Sequence, residues 1–154
     1  MSSAEIRPAT RDDLPAVLAL YAGLETDGTR TDLARAQRLF ERMARYPSYT
    51  LYVAVAEGVV RGAFELLIMD NLAHGGAPSG IVEDVAVDAG WRGQGLGRQM
   101  MQFAMDQCRS AGCYKLMLSA NLIREDAHRF YEAVGFKKHG YSFLVSLSPE
   151  GGEG

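Results

Sequence analysis

The chain predicts a mixed α/β fold, a single domain over residues 1–148, on three observations. Strand-period and helix-period segments follow one another in the order β-α-α-β-β-β-α-β-α-β. In "VEDVAVDAGWRGQGLGRQMM" (82–101) a glycine-rich turn joins a strand to a helix, and the strand after that helix makes a right-handed parallel crossover the expected connection. The 154 residues, 47% hydrophobic and 23% charged, suffice for one buried core, and no repeat or linker divides them.

Residues 6–10 ("IRPAT") read as a short strand. Thr10 is then an N-cap, with Asp12 and Asp13 in the first turn and Pro15 near the start of a helix. Leu14, Val17, Leu18, Tyr21 and Leu24 give that helix its apolar face. A second helix over 32–45 carries Leu33, Ala36, Leu39, Phe40 and Met43 on one side, and Pro47 ends it. "TLYVAVAE" (50–57) and "VVRGAFELLIMD" (59–70) form a hairpin around Gly58. Residues 71–80 are turn formers, and "IVEDVAV" (81–87) is the next strand. A helix over 94–111 closes at Gly112, a strand occupies 113–120, and a helix over 124–135 ends at another glycine. Residues 136–147 are expected to supply the last one or two strands, and residues 149–154 a disordered tail.

A net charge of −3 offers no footprint for nucleic acid and no basic surface for a membrane. No apolar run reaches the roughly 18–20 residues of a spanning helix, and the first residues lack the order of a signal peptide. Cys108 and Cys113 match neither a CxxC nor a zinc spacing; two reduced thiols in a cytoplasmic protein are expected. His74, His128 and His139 are scattered over a loop, a helix and a strand end, so packed or solvated imidazoles are expected and no metal site.

Three phosphate-binding loops compete for the glycines. A P-loop needs GxxxxGK[ST], but Arg98 and Gln99 follow Gly97. A dinucleotide fingerprint needs GxGxxG, but Arg98 stands at the sixth position from Gly93, and the acid for the ribose is missing from "CYKLML". A pyrophosphate resting on the N-terminus of the helix beginning near Gln94 fits the spacing, with Arg92 and Arg98 at its rim. A tight turn that binds nothing is the plain alternative.

"RGQGLG" (92–97) matches the [Q/R]-x-x-G-x-[G/A] signature of the GNAT superfamily of N-acetyltransferases, and "EDVAV" before it resembles that family's fourth strand. Asn121 with "HRFYEAVGF" (128–136) resembles its second half, and the order of elements agrees over residues 5–147. The resemblance implies a central, mostly antiparallel twisted sheet of six to seven strands, splayed between the fourth and fifth, with four flanking helices. It implies acetyl-CoA as the acetyl donor, a small-molecule primary amine as acceptor, and a homodimer. Segments are similar to glucosamine-6-phosphate and to aminoalkylphosphonate N-acetyltransferases, whose substrates are small, amino-bearing and anionic. A protein or peptide amine is the runner-up acceptor, and a non-catalytic acyl-CoA sensor the competing class.

On this resemblance Arg92, Gly93, Gln94, Gly95, Leu96, Gly97 and Arg98 hold the pyrophosphate, and a backbone N–H of Val85, Ala86 or Val87 polarises the thioester carbonyl. Glu83 is the expected base, directly or through water, with Asp84 second. Strand alternation sends the two to opposite faces unless a bulge intervenes, and pairing with Arg61 or Arg129 is the structural alternative. Tyr131 is the expected acid for the leaving thiolate, with core packing as its alternative. Asn121 either binds the pantetheine amides or caps a helix, and Phe130 joins the cofactor-binding residues. Arg35, Arg38 and Arg42 share a helix face that would suit an anionic acceptor, or simply be solvated.

Overall fold

The computed structural model describes residues 3–24 and 28–147. It divides into two compact units, Met1–Leu118 and Ser119–Gly154. The first unit holds five strands among its described residues, β1 (Glu5–Pro8), β2 (Tyr49–Ala56), β3 (Val59–Met69), β4 (Ser79–Val87) and β5 (Lys115–Met117). It also holds three helices, α1 (Leu14–Ala22), α2 (Leu33–Met43) and α3 (Leu96–Ser110); α4 (Glu125–Ala133) belongs to the second unit. The strands lie in sequence order, antiparallel from β1 to β4, and β4–α3–β5 is the expected parallel crossover.

Each face of the sheet carries its own core. Leu51 and Val53 of β2 and Ala63 of β3 pack with Leu14 and Val17 of α1, and Phe40 and Met43 of α2 lie against them. On the opposite face Tyr52 and Phe64 meet Phe103 of α3, with ring centroids 5.0 to 6.5 Å apart. Met100 and Met101 are fully buried there, which accounts for the helical spacing of the methionines as core. A Cβ on Gly80 would collide with the Cys108 sulfur of α3, so only glycine lets helix and strand approach this closely.

The start of α1 is fastened by charge. Asp13 accepts from the Thr10 N–H at 2.7 Å and from the Thr10 hydroxyl at 3.1 Å, and it pairs with both terminal nitrogens of Arg7. Thr10 thus begins a one-turn 3-10 helix (Arg11–Asp13) that leads into α1. The Arg7 hydrogen bond, chiefly, holds the Asp13 carboxyl down at about 2.

Two expectations are corrected. Residues 136–147 form no strand among the described residues, so the sheet there has five strands, not six or seven. Apolar alternation is a local signal, whereas a strand needs a ladder partner; Phe143 and Val145 stand 92% and 76% exposed. The third helix begins at Leu96, not Gln94, because Gly93 and Gly95 take the left-handed φ values +77° and +84° that no helical residue adopts. The tail expected over 149–154 lies outside the described residues.

A depressed folded-state pKa stabilises above the ordinary aspartate range, and the effect is lost as pH falls from about 4 through about 2. Asp13→Asn is therefore expected to cost about 2 kcal/mol near neutral pH in urea unfolding, a deficit that shrinks toward pH 2. Gly80→Ala is expected to cost about 2 kcal/mol at every pH, through overpacking against Cys108; equal stability would refute the close-packing argument.

Candidate active site

Acidic side chains gather where β4 departs from regularity. Ala63 pairs with Ala86 and Glu65 with Glu83, so two residues of β4, Asp84 and Val85, oppose the single Phe64 of β3. Asp84 absorbs the surplus with a φ of +51°, a left-handed conformation that aspartate tolerates better than most residues. The bulge removes the strict alternation expected of Glu83 and Asp84. Both carboxylates now act electrostatically on Glu65 of β3, Asp84 ahead of Glu83.

Glu65 is half-buried and accepts a 2.8 Å hydrogen bond from the Tyr49 hydroxyl of β2. Burial, chiefly, with the two neighbouring carboxylates, pushes its carboxyl up to about 7, while the Tyr49 hydrogen bond pulls the other way. Glu83 is raised too, by burial and then by Asp84. The Tyr49 and Tyr21 phenols are both held well above their usual range, first by burial and then by Glu65. The Tyr21 hydroxyl, on α1, is buried without a hydrogen-bond partner among the described residues. Arg61 pairs with neither Glu83 nor Asp84, contrary to one alternative. It is the surplus residue of a second irregularity, between Ala54–Gly62 and Val55–Val60, and it reaches Asp88 at 3.0 Å.

That ion pair sets the entry to the glycine turn. Asp88 also accepts from the Gly90 N–H, and the Arg61 guanidinium lies 5.2 Å over the Trp91 ring. The Gln94 side chain donates to the Gly90 carbonyl at 3.2 Å. The first helical bond of α3 runs from the Gln99 N–H to the Gly95 carbonyl, so the turn before it directs its N–H groups out of the helix end. Arg92, Gly93, Gln94, Gly95 and Arg98 are exposed, and a Cβ built on Gly93 meets nothing within 4 Å. Open backbone donors, a helix N-terminus and two arginines are a donor set suited to a pyrophosphate. Leu96 is 3% exposed, so its side chain belongs to the core and only its backbone is available.

Pairing of β4 with β5 stops at Ile81–Met117, and Val82–Val87 continue without a strand partner on that edge among the described residues. The pairing with β5 ends there because β5 itself ends at Met117, and Val85, Ala86 and Val87 lie beyond its last pair. Cys108 is buried, and burial, with Cys113 next, pushes its thiol up to about 12, far from a nucleophilic thiolate. His74 stacks on Tyr114 at 4.3 Å and His139 is exposed. No group of His, Cys, Asp and Glu among the described residues is placed to hold a metal ion.

Asn121, Phe130 and Tyr131 belong to the second unit. The Asn121 side chain accepts from the Ile123 N–H, and its carbonyl accepts from the Arg124 N–H and from the His128 ring; these bonds organise the entry to α4. Tyr131 is half-buried, 5.1 Å from the Phe130 ring and 5.7 Å from Phe136, and burial keeps its phenol protonated above the usual range. Arg35, Arg38 and Arg42 are exposed on α2.

Sequence reasoning missed Glu65, Tyr49 and Tyr21. A glutamate inside "GAFELLIM" was the available signal, of the same kind that drew attention to Glu83 and Asp84.

Comparison with known proteins agrees with this geometry. The chain matches the Acetyltransferase (GNAT) family over residues 17–136. It is 31% identical over 147 residues to the aminoalkylphosphonate N-acetyltransferase of Salmonella typhimurium strain LT2, covering 96% of this chain and 94% of that one. It is 38% identical over 90 residues to the glucosamine 6-phosphate N-acetyltransferase of Trypanosoma brucei brucei, 58% of this chain and 59% of that enzyme's length. Among solved structures it resembles a protein of Agrobacterium tumefaciens str. C58 assigned as an acetyltransferase, with a TM-score of 0.88, 31% identity and coverage of 93% and 99%. A mostly antiparallel sheet with a parallel β4–β5 pair, a glycine turn at the head of α3 and a family match across most of the chain converge, and the protein belongs to the GNAT acetyltransferase family.

Proposed function

We propose that the protein transfers the acetyl group of acetyl-CoA directly to a primary amine of a small metabolite, working as one domain over residues 1–148, as a cytoplasmic homodimer. The observation that carries this reading is the bulge at Asp84, which gathers carboxylates beside the open edge of β4, with the glycine turn at the end of the same strand. Arg92, Gly93, Gln94, Gly95, Leu96, Gly97 and Arg98 would bind the pyrophosphate, largely through backbone N–H groups. The edge at Val85, Ala86 and Val87 would bond the thioester carbonyl. Asn121 and Phe130 would contact the pantetheine arm.

Two proton movements must be managed. An acceptor amine arrives as an ammonium and must lose a proton before its lone pair can attack; Glu83 and Asp84 are carboxylates available for that step. The departing thiolate needs a proton or a hydrogen bond. Tyr131 suits this, because its phenol stays protonated throughout the working pH range. The relatives' named substrates support a small amine; the exposed arginines of α2 suit an anionic one.

The test is acetyl-CoA-dependent thiol release over a panel of amines: glucosamine 6-phosphate, aminomethylphosphonate, polyamines, aminoglycosides, amino acids and peptides. One amine class is expected to turn over, with folded Tyr131→Phe at least about tenfold slower (roughly 1.4 kcal/mol). Acetyl-CoA binding without turnover on any amine would favour a sensor and sink the enzyme reading. Gly93→Ala, strained at its left-handed φ by about 1 kcal/mol, is expected to weaken acetyl-CoA binding about fivefold in calorimetry; unchanged binding would remove the glycine turn from the cofactor site.

A further inference from the structure

We propose that Glu65 of β3 is the group that takes the proton from the acceptor's ammonium, with Tyr49 as the positioning residue that holds its carboxyl. This rests on the acetyltransferase reading and assigns the base within it to a residue on the strand beside β4.

The register carries the argument first. Glu65 is paired directly with Glu83, so the two side chains leave the same face of the sheet, and the bulge brings Asp84 to the same place. With Glu83 opposite it and Asp84 acting on it, Glu65 lies in a locally negative stretch of the sheet that attracts a cation. The cation that this reaction supplies is the acceptor's ammonium. Glu65 differs from its neighbours in burial, for Glu83 and Asp84 are exposed. It also differs in support, because the Tyr49 hydroxyl fixes Oε2 at 2.8 Å.

The surroundings then tune it. The titratable groups that bear on Glu65 are Tyr49 from β2, Tyr21 from α1, and Glu83 and Asp84 from β4. Burial, chiefly, makes a bound proton more favourable, the Tyr49 hydrogen bond makes it less so and the two acids add to the burial, leaving a carboxyl that exchanges protons near neutrality. A base poised near the working pH is ionised often enough to accept a proton and basic enough to draw one from an ammonium. The buried Tyr21 hydroxyl, unpartnered among the described residues, is a further polar group in the same place.

The step balances. One ammonium proton moves to the Glu65 carboxylate, and the freed nitrogen lone pair forms the C–N bond at the thioester carbonyl carbon. The C–S bond then breaks, the thiolate leaves with its electron pair, and a second proton from the nitrogen ends on the sulfur by way of the Tyr131 phenol or water. Glu65 returns its proton to solvent, so each turnover releases one proton.

Two measurements test the assignment, one without any substrate. Carboxyl NMR of the ligand-free protein is expected to show Glu65 titrating near 7, moving up by about one pH unit in Tyr49→Phe as the hydrogen bond to the ionised form is lost. In kcat/KM against pH, the wild type should lose activity below the same midpoint. Tyr49→Phe should shift that limb upward, and folded Glu65→Gln should abolish it with at least about a hundredfold loss of kcat. Acetyl-CoA binding by calorimetry should be unaltered in both variants. Glu65 titrating in the ordinary carboxylate range, or Glu65→Gln keeping the rate and the acidic limb while Glu83→Gln loses them, would overturn the proposal and leave the acetyltransferase reading standing. Failure of the wild type to acetylate any amine would take down both.

Discussion

Between the Ala63–Ala86 and Glu65–Glu83 pairs, β4 carries one residue more than β3, and the surplus is taken up at Asp84 with a left-handed φ. A regular ladder would alternate Glu83 and Asp84 across the sheet and bury one carboxylate in an apolar layer. With the extra residue the strand turns on itself, and both acids lie with Glu65. Holding a non-glycine residue in this conformation costs roughly 1 kcal/mol, which the surrounding ladder must offset. Since β4 runs from its short pairing with β5 through this bulge to the glycine turn, the distortion orders the site along a single strand.

The rest of the first unit keeps that strand where it is. Its two faces are packed differently, with α1 and α2 over Leu51, Val53 and Ala63, and α3 over Tyr52 and Phe64. Close approach of α3 depends on Gly62 and Gly80, where a side chain would strike Met100 and Cys108 respectively. The helix that would present its N-terminus to a pyrophosphate is thereby fixed against the strand that carries the acids. A second surplus residue, Arg61 in β3, turns its irregularity to use: its guanidinium bridges Asp88 and covers Trp91, tying the entry of the glycine turn to the sheet. Asp13 and Arg7 perform a similar task at the start of α1, whose buried Tyr21 phenol lies within the electrostatic reach of Glu65 and Asp84.

What could be read from the sequence was local. Capping residues, helical periodicity and strand alternation locate nine elements within a few residues, and the RGQGLG turn carries the family resemblance. Glu83 and Asp84 stood out because adjacent acids in an apolar strand require an explanation. Glu65 lay in an equally apolar run and did not stand out. Its significance comes from a cross-strand neighbour eighteen positions away and from a hydrogen bond to Tyr49, neither of which has a local signature. The bulge enters the sequence reading only as the condition on which both acids could serve one site, since register belongs to a pair of strands. The glycine turn was located but its helix was started two residues early, because left-handed φ values at Gly93 and Gly95 are a property of the folded turn. Residues 136–147 show the converse error, where alternation was present without a ladder.

The electrostatics of Glu65 run against stability. A carboxyl raised in the folded state binds its proton more tightly there than in the unfolded chain. The folded state is therefore favoured while the group is protonated, and that advantage is lost as pH rises from the ordinary carboxylate range through about 7. Asp13 has the opposite sign and a lower interval: Arg7 favours its charged form, so it gains stability as pH rises from about 2 to about 4 and keeps it above. A structural role for Glu65 would call for the arrangement at Asp13, with a cation beside it. Instead its charge-bearing neighbours are two more acids, and the group that steadies it is a neutral phenol that fixes an oxygen without neutralising it. An uncompensated carboxyl held in place at the expense of stability is what a proton acceptor for a transient cation requires. The missing positive charge then arrives with the acceptor, and once the neutral amide has left, release of the proton from Glu65 to solvent resets the site.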